Sequence, residues 1–424
     1  MKYEIKTLGT VARYVNGRAF KPSEWEKTGL PIIRIQNLTD NKASFNFSSK
    51  VHEDKYRVKN GDLLFAWSAS LGAHIWRGSD AWLNQHIFRI EPNDEIEKLY
   101  LYYFLCCVVS DLYSKTHGSG MVHITKGPFM ATPIPVPTRE SQKRIVARIE
   151  ELFSELDKAV ETLNTTKKQV AVYRQAVLKS AFEGRYTLSW RKMHSDISPR
   201  SDFNSIRINA PDFKDTSGDE NSMKLNIPAS WLKIRFGEVF EVEVGATPSR
   251  RIPAYWNGSI SWVSSGEVHF NTINFTRECI TEEGLKHAST NLHPIGTVML
   301  AMIGEGKTRG QAAILNTPSA HNQNTAAILV SKTPCHPKYV YYFLQMNYEN
   351  TRRVGSGNNQ KALNKERVRA LLFPFSSFEE QKIIVEEIES RLSICEQVQK
   401  MIDQSLQKAE VLRQSILKQA FERK

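Results

Sequence analysis

The sequence predicts an α+β chain made by internal duplication: two similar globular units, each followed by a long helix, with the two helices packed as an antiparallel coiled coil. Three observations carry this expectation. The segment Gln142 to Glu183 recurs as Gln381 to Glu422 at a constant offset of 239 (381 − 142) without a gap. Each copy opens with Gln-Lys-x-Ile-Val and closes with Arg-Gln-x-x-Leu-Lys-x-Ala-Phe-Glu. Both copies space apolar residues alternately by four and three, the seam of a coiled coil. Upstream, weaker matches recur at an offset drifting between 228 and 239, as small insertions in the surface loops of a shared scaffold would produce. A period this long describes a domain pair, well above the range of solenoid repeats.

In the first unit, residues 1–138, the stretches Pro31 to Ile35, Asp62 to Trp67 and His86 to Ile90 are dense in β-branched and aromatic residues and read as strands. Lys98 to Tyr113 reads as an apolar helix. Prolines 133, 135 and 137 then precede the first long helix, residues 139–184, which Gly184 ends. Residues 185–225 are polar and almost without periodicity, the composition of a partly flexible linker. The second unit, residues 226–376, offers strands at Ile260 to Val263, Thr297 to Ala301 and Ala326 to Val330, then an apolar helix from Pro337 to Tyr348. Pro374 precedes the second long helix, residues 377–424.

The first seam runs Ile145, Ile149, Leu152, Leu156, Ala159, Leu163, Thr166, Val170, Tyr173 and Val177. The second runs Ile384, Ile388, Arg391, Cys395, Val398, Ile402, Ser405, Ala409, Leu412 and Ile416. Neither segment contains an internal Gly or Pro, so each can run about forty residues, roughly 60 Å. Thr166 and the equivalent Ser405 put a polar residue in each seam and are expected to mark the helices' register. Related by a pseudo-twofold axis, the two seams would bury each other antiparallel.

At 424 residues with 41% hydrophobic content the chain can bury sizeable cores. Its net charge of +12 argues for a polyanionic partner, because neutralising phosphates releases counterions. Five cysteines without Cys-x-x-Cys spacing argue against structural zinc or a disulfide framework and fit a reducing, cytoplasmic setting. The longest apolar run, around Leu99 to Val109, is too short for a membrane span, so no membrane role is expected.

Catalytic signatures are missing. Ala301 to Thr308 satisfies a permissive phosphate-loop pattern, but its counterpart Ala66 to Gly72 lacks Gly-Lys-Thr, and Arg309 to Ile314 reads as a strand where a helix should follow. Lys307 and Arg309 therefore read as a basic hairpin loop. No amino-methylation motif, nuclease acidic cluster or metal-ligand pattern is present, so a recognition device is expected. Gln and Asn can pair bidentately with adenine, and Arg or Lys with guanine. The candidate DNA-binding residues in the first unit are Arg34, Gln36, Asn37, Asn84, Gln85, Gly118, Ser119, Gly120, His123 and Lys126. In the second they are Ser264, Ser265, Lys307, Arg309, Asn322, Gln323, Asn324, Gly355, Ser356, Gly357, Asn358, Asn359, Gln360 and Lys361. Any one of these could simply make a turn; their recurrence in both units favours the set.

With these features in place, the chain resembles the specificity subunits of Type I restriction-modification enzymes over essentially its full length. The resemblance rests on the doubled helix openings after Pro133-Ile134-Pro135-Val136-Pro137 and Phe373-Pro374-Phe375, the Gly-Ser-Gly segments, and the helices with Tyr102-Tyr103-Phe104-Leu105 and Tyr341-Tyr342-Phe343-Leu344. Ile227-Pro228-Ala229-Ser230-Trp231 and Gly245-Ala246-Thr247-Pro248-Ser249 add to it. Glu380-Gln381 keeps the family's usual helix start; Ser141-Gln142 departs from it. The resemblance implies two target recognition domains that each read half of a bipartite, asymmetric site in double-stranded DNA, with the helices fixing the gap. It also implies two methyltransferase subunits that bind S-adenosylmethionine and two restriction subunits that use ATP and Mg²⁺. This chain itself would hold no cofactor or metal and perform no catalysis. A stand-alone coiled-coil DNA-binding regulator is the competing reading, which co-purification with a methyltransferase would exclude.

Overall fold

The structure is a computed structural model that describes residues 4–40, 42–114, 124–207, 225–304, 306–353 and 363–422. Its contacts divide the chain into two units, residues 1–166 with 401–424 and residues 167–400. Both long helices form, Arg139–Phe182 and Phe378–Phe421. Each gives its first part to one unit and its last part to the other.

In the first unit, strand Glu4–Thr7 pairs antiparallel with Pro133–Val136 and closes the globular part just before the long helix. An antiparallel sheet orders Ala12–Asn16, Ile87–Pro92, Leu63–Ala66 and Gly72–Ile75. A second sheet orders Asn46–Ser48, Leu30–Ile33, Ala81–Leu83 and Arg57–Val58, with Leu30–Ile33 and Ala81–Leu83 parallel. The apolar helix Lys98–Ser114 covers the first sheet, and its Tyr100, Leu101, Phe104 and Leu105 enter the core with Phe65, Phe88 and Phe129.

The second unit repeats this plan. Leu232–Arg235 pairs with Leu372–Phe375. Its larger sheet orders Val242–Val244, Thr325–Ile328, Val298–Ala301, Ala312–Leu315 and Asn271–Ile273. Its smaller sheet sets Trp256–Val263 parallel to Ser319–His321 and antiparallel to Glu278–Ile280. Val298–Ala301 and Ala312–Leu315 are antiparallel neighbours, so a strand follows the Gly306-Lys307-Thr308 stretch where a phosphate loop would be followed by a helix.

The repeated Gln-Lys-x-Ile-Val opening has a structural cause. Gln142 and Gln381 are both fully buried. The Gln142 amide donates to the Glu95 and Pro137 carbonyls (2.8 Å each) and accepts the Glu97 amide (2.7 Å). Gln381 donates to the Ser376 carbonyl (3.1 Å) and accepts the amide of His336 (3.0 Å), the residue equivalent to Glu97. One side chain thus staples the start of each long helix to the start of the apolar helix. Tyr100 and Tyr339 tie the same helices to the proline strands, donating at 2.8 Å to the Pro135 and Pro374 carbonyls.

The far end of each long helix docks on the opposite copy's domain. Phe421 lies against Tyr100 and Phe104 in the first unit (ring centroids 5.1 and 5.4 Å apart), and Phe182 lies against Tyr339 and Phe343 in the second (5.0 and 5.6 Å). Within each unit the helices run antiparallel. Asp157 pairs with Arg413 in the first unit, and in the second the equivalents exchange roles as Arg174 and Glu396 pair at 3.5 Å.

The seam needs one correction. Ile149, Leu156, Val177, Ile384, Ile388, Cys395, Ile402 and Ala409 are buried, and Ile145, Leu152, Leu163, Val170, Val398 and Ile416 are partly buried. Tyr173 and the equivalent Leu412 are exposed instead, each 49% accessible, and Ala159 is exposed as well. The next residues, Arg174 and Arg413, supply the cross-helix ion pairs, and Leu417 is buried. A straight helix drifts about 20° per heptad from a 3.5-residue repeat, which moves the contact stripe past these positions. The Thr166 hydroxyl bonds its own helix at the Thr162 carbonyl (2.9 Å).

Residues 185–225 also differ from a plain linker. Helices Leu188–Met193 and Pro199–Ile206 form there. Phe203 is buried in the second core, and Asp202 accepts the Phe378 amide at 2.8 Å, capping the second long helix. Pro199, Phe203 and Ile206 keep helical spacing, which two turns inside a polar segment leave faint in the sequence.

Candidate nucleic-acid interface

In each unit the candidate loops follow adjacent parallel strands and therefore meet. After Leu30–Ile33 and Ala81–Leu83 come Arg34–Asn37 and Asn84–Gln85, laced by the Asn84 amide donating to the Ile33 carbonyl (3.2 Å). After Trp256–Val263 and Ser319–His321 come Ser264–Glu267 and Asn322–Asn324, laced by Asn322 donating to Val263 (3.0 Å). A glycine closes against each pair. A Cβ on Gly17 would stand 2.0 Å from the Asn84 carbonyl oxygen, and one on Gly245 would stand 2.0 Å from that of His321. Only glycine fits this approach, and Gly17 and Gly245 make it at corresponding places in the two units.

The sheet hairpins join the cluster. Trp67 donates its amide to the His86 carbonyl (3.0 Å), and Met302 donates to that of Asn324 (2.9 Å). Ile124 and Leu363 return the chain to this edge by donating to the Trp67 and Met302 carbonyls (3.1 and 3.0 Å). Residues Gly118, Ser119, Gly120 and His123, and Gly355 to Lys361, lie outside the described residues. Lys126 is exposed at the start of the helix Lys126–Met130. Lys307 is exposed on the hairpin loop, which Tyr348 and Arg352 hold through the Lys307 and Gly306 carbonyls.

Side-chain roles within the loops divide sharply. Asn37, 8% exposed, accepts the Arg34 amide (3.0 Å) and donates to the Ala43 and Ser44 carbonyls (3.3 and 3.1 Å). Asn322, 7% exposed, accepts the Asn324 amide (3.1 Å) and the Thr325 hydroxyl (3.3 Å). The Ser264 hydroxyl donates to Glu267 (2.8 Å). These three groups hold the loops in shape. Gln36, Gln85 and Gln323 beside them are exposed, with Gln323 accepting from the Thr247 hydroxyl at 2.6 Å. Arg34 lies over the Trp25 ring, 5.2 Å from its centroid, and Ser265 and Arg309 are half-buried.

The sequence pattern described as the Type I restriction modification DNA specificity domain matches residues 1–170 and 228–407. The chain belongs to this family. A relative, the EcoBI specificity subunit of Escherichia coli, is 24% identical over 98% of this chain and 84% of its own length. The MjaVIII specificity subunit of Methanocaldococcus jannaschii is 23% identical over 92% of this chain and 85% of its own. Among solved structures, a chain reported for complex assembly and conformational transition of the type I R-M system covers 99% of this chain and 97% of that one at TM-score 0.66 and 17% identity. The HsdS subunit from Thermoanaerobacter tengcongensis covers 99% and 96% at TM-score 0.53 and 16% identity. These similarities show the same fold. Among the described residues of this specificity subunit, no cluster of three or more His, Cys, Asp or Glu could hold a metal, and no helix is long and apolar enough to cross a membrane.

Glu267 is the organiser that the sequence reading passed over. It is buried and accepts the Ser264 amide and hydroxyl through Oε2 (2.9 and 2.8 Å) and the Arg277 amide through Oε1 (2.8 Å). The Ser-x-x-Glu spacing of Ser264 and Glu267 is a capping-box signature and could have found it.

A buried histidine lies beneath the second loop pair. His321 Nε2 is 3.1 Å from His293 Nε2, and its Nδ1 is 2.8 Å from the Thr325 hydroxyl. Burial first, and His293 second, lower the His321 pKa to about 3 from an ordinary 6.5. The ring is neutral in the fold, whereas the unfolded chain binds a proton below 6.5. Its contribution to stability is therefore complete above pH 6.5 and is lost as pH falls toward 3. Thermal midpoints of the wild type should fall more steeply across that window than those of His321→Gln; parallel curves would contradict this.

Proposed function

We propose that this specificity subunit reads a bipartite, asymmetric site in double-stranded DNA, one half at the loop cluster of each unit. The observation that supports it most is one loop frame built twice and furnished with different side chains. Buried Asn37 and Glu267 occupy the same capping position, as do Arg34 and Ser264, so the frame is shared, while the exposed residue it carries differs, Gln36 in the first unit and Gly266 in the second. Gln36, Gln85 and Gln323 are suited to base edges, and Lys126 and Lys307 to phosphates.

The long helices set the gap between the half-sites and dock the partners. Val172 and Tyr173 in the second unit and Val411 and Leu412 in the first are exposed apolar pairs at equivalent helix positions. Two like patches suit two copies of one partner, which we assign to two methyltransferase subunits holding S-adenosylmethionine. Two restriction subunits using ATP and Mg²⁺ would complete the assembly. The chain supplies the address and the partners supply the chemistry.

Duplicating Leu163–Thr166 together with the equivalent residues 402–405 tests the ruler. Four residues add about 6 Å of helix, so the methylated motif should keep both half-sites and widen its gap by one or two base pairs at about 3.4 Å each. An unchanged gap in an active complex would refute the ruler.

A further inference from the structure

The second loop cluster has a neighbour that the recognition reading does not use. Residues 274–277 connect strands Asn271–Ile273 and Glu278–Ile280, and Phe275 within them is 81% exposed. The loop around it is firmly held. The Thr276 hydroxyl accepts the Trp262 amide (3.2 Å) and donates to the Glu278 carbonyl (2.7 Å). Asn274 accepts from the Asn316 side chain (2.8 Å), and the Arg277 amide is bound by Glu267. The carboxylate that shapes the Ser264 loop thus also fixes the Phe275 loop beside it.

The surroundings are basic and aromatic. Arg277 is exposed and lines a cleft of about 370 Å³ with Arg250, Trp256 and Asn257, in which Arg250 lies 3.8 Å over the Trp256 ring and pairs with Glu278 (2.8 Å). The Gly245 to Arg250 segment connects this cleft to the reading loops, through Thr247 bound to Gln323 and the Ala246 carbonyl bound to the Trp262 indole (3.2 Å). The first unit makes the equivalent tie, Asn37 to the Ala43 and Ser44 carbonyls, but there Phe45 is half-buried and packs on Trp76. Holding a phenyl ring in water beside a cationic rim stabilises nothing in the free protein, and DNA-bending proteins use apolar wedges flanked by cations at base steps.

Resting on the reading above, we infer that Phe275 is a DNA contact peculiar to the second unit. It stacks against a base step at the edge of the second half-site while Arg277 meets the adjoining phosphate. Burial of the ring occurs only on DNA, and the base step it opens at the second half-site has no counterpart made by the first unit.

The test uses the full chain assembled with its methyltransferase partner and a duplex carrying the mapped site, with 2-aminopurine placed in turn at steps in and beside the second half. Phe275→Ala should weaken binding about tenfold, the effect of losing one base–aromatic stack, without changing the salt dependence. It should also abolish a 2-aminopurine fluorescence rise seen with the wild type. Phe275→Tyr should retain both, and Arg277→Ala should lower the salt slope by about one. Because Phe275 is exposed, thermal stability should stay at the wild-type value. Wild-type affinity and fluorescence in Phe275→Ala would overturn the inference, as would a defect confined to methyltransferase assembly. A wild-type complex with no preference for a bipartite site would overturn the underlying reading and this inference with it.

Discussion

Arg191→Ala is expected to destabilise the second unit by about 3–5 kcal/mol, the loss associated with stranding a buried charge. Glu380 is 2% exposed at the start of the second long helix. Its Oε1 accepts from Arg191 (2.6 Å) and the Thr187 hydroxyl (2.7 Å), and its Oε2 accepts from the Trp231 indole (2.8 Å). Arg191 also donates to the Gly184 carbonyl at 2.6 Å and lies over the Trp231 ring. Without the guanidinium, the carboxylate keeps two neutral donors and no counter-charge. The melting temperature should fall on the order of 10 °C, read by circular dichroism, and Glu380→Gln should cost less because Arg191 can reach water. A change below about 1 kcal/mol for Arg191→Ala would show that the pair is solvated.

Phe182→Ala should cost a similar amount, about 3–5 kcal/mol, as a large ring lost from a closed core. Phe182 is fully buried among Tyr339, Phe343 and their neighbours. Phe421, its duplicate, is only partly buried against Tyr100 and Phe104, so Phe421→Ala should cost roughly half as much by the same area argument. Urea denaturation of the two variants measures both losses. Equal losses would mean that the two reciprocal dockings are energetically alike despite their different burial.

The duplicated frame was legible because its strongest signals are periodic or repeated. The two long helices and the apolar helix at Lys98 follow from periodicity and from matches at the offset of 239, whereas nothing in the residue pattern signalled that the loop-bearing strands pair in parallel. The departure at Ser141 also has a physical cause. Glu380 pairs with Arg191 in a segment that follows the first long helix, whereas Ser141 accepts the Thr138 hydroxyl (3.0 Å) and Arg144 (3.2 Å) within its own helix start. What stayed hidden depends on three-dimensional closure. Tyr173 and Leu412 fit the heptad but rotate out of the seam, while helix Pro199–Ile206 is held on one face by Pro199, Asp202, Phe203 and Ile206. In the loops, residue type could not separate Asn322, whose amide oxygen shapes a turn, from exposed Gln323 next to it.

Genome-wide mapping of adenine methylation, in cells carrying this subunit and its methyltransferase, tests the central claim most directly. The expected result is one asymmetric motif of two specified halves around an unspecified gap, with exchange of residues 226–376 for those of a relative changing one half alone. A continuous motif, or a change in both halves after the exchange, would contradict it.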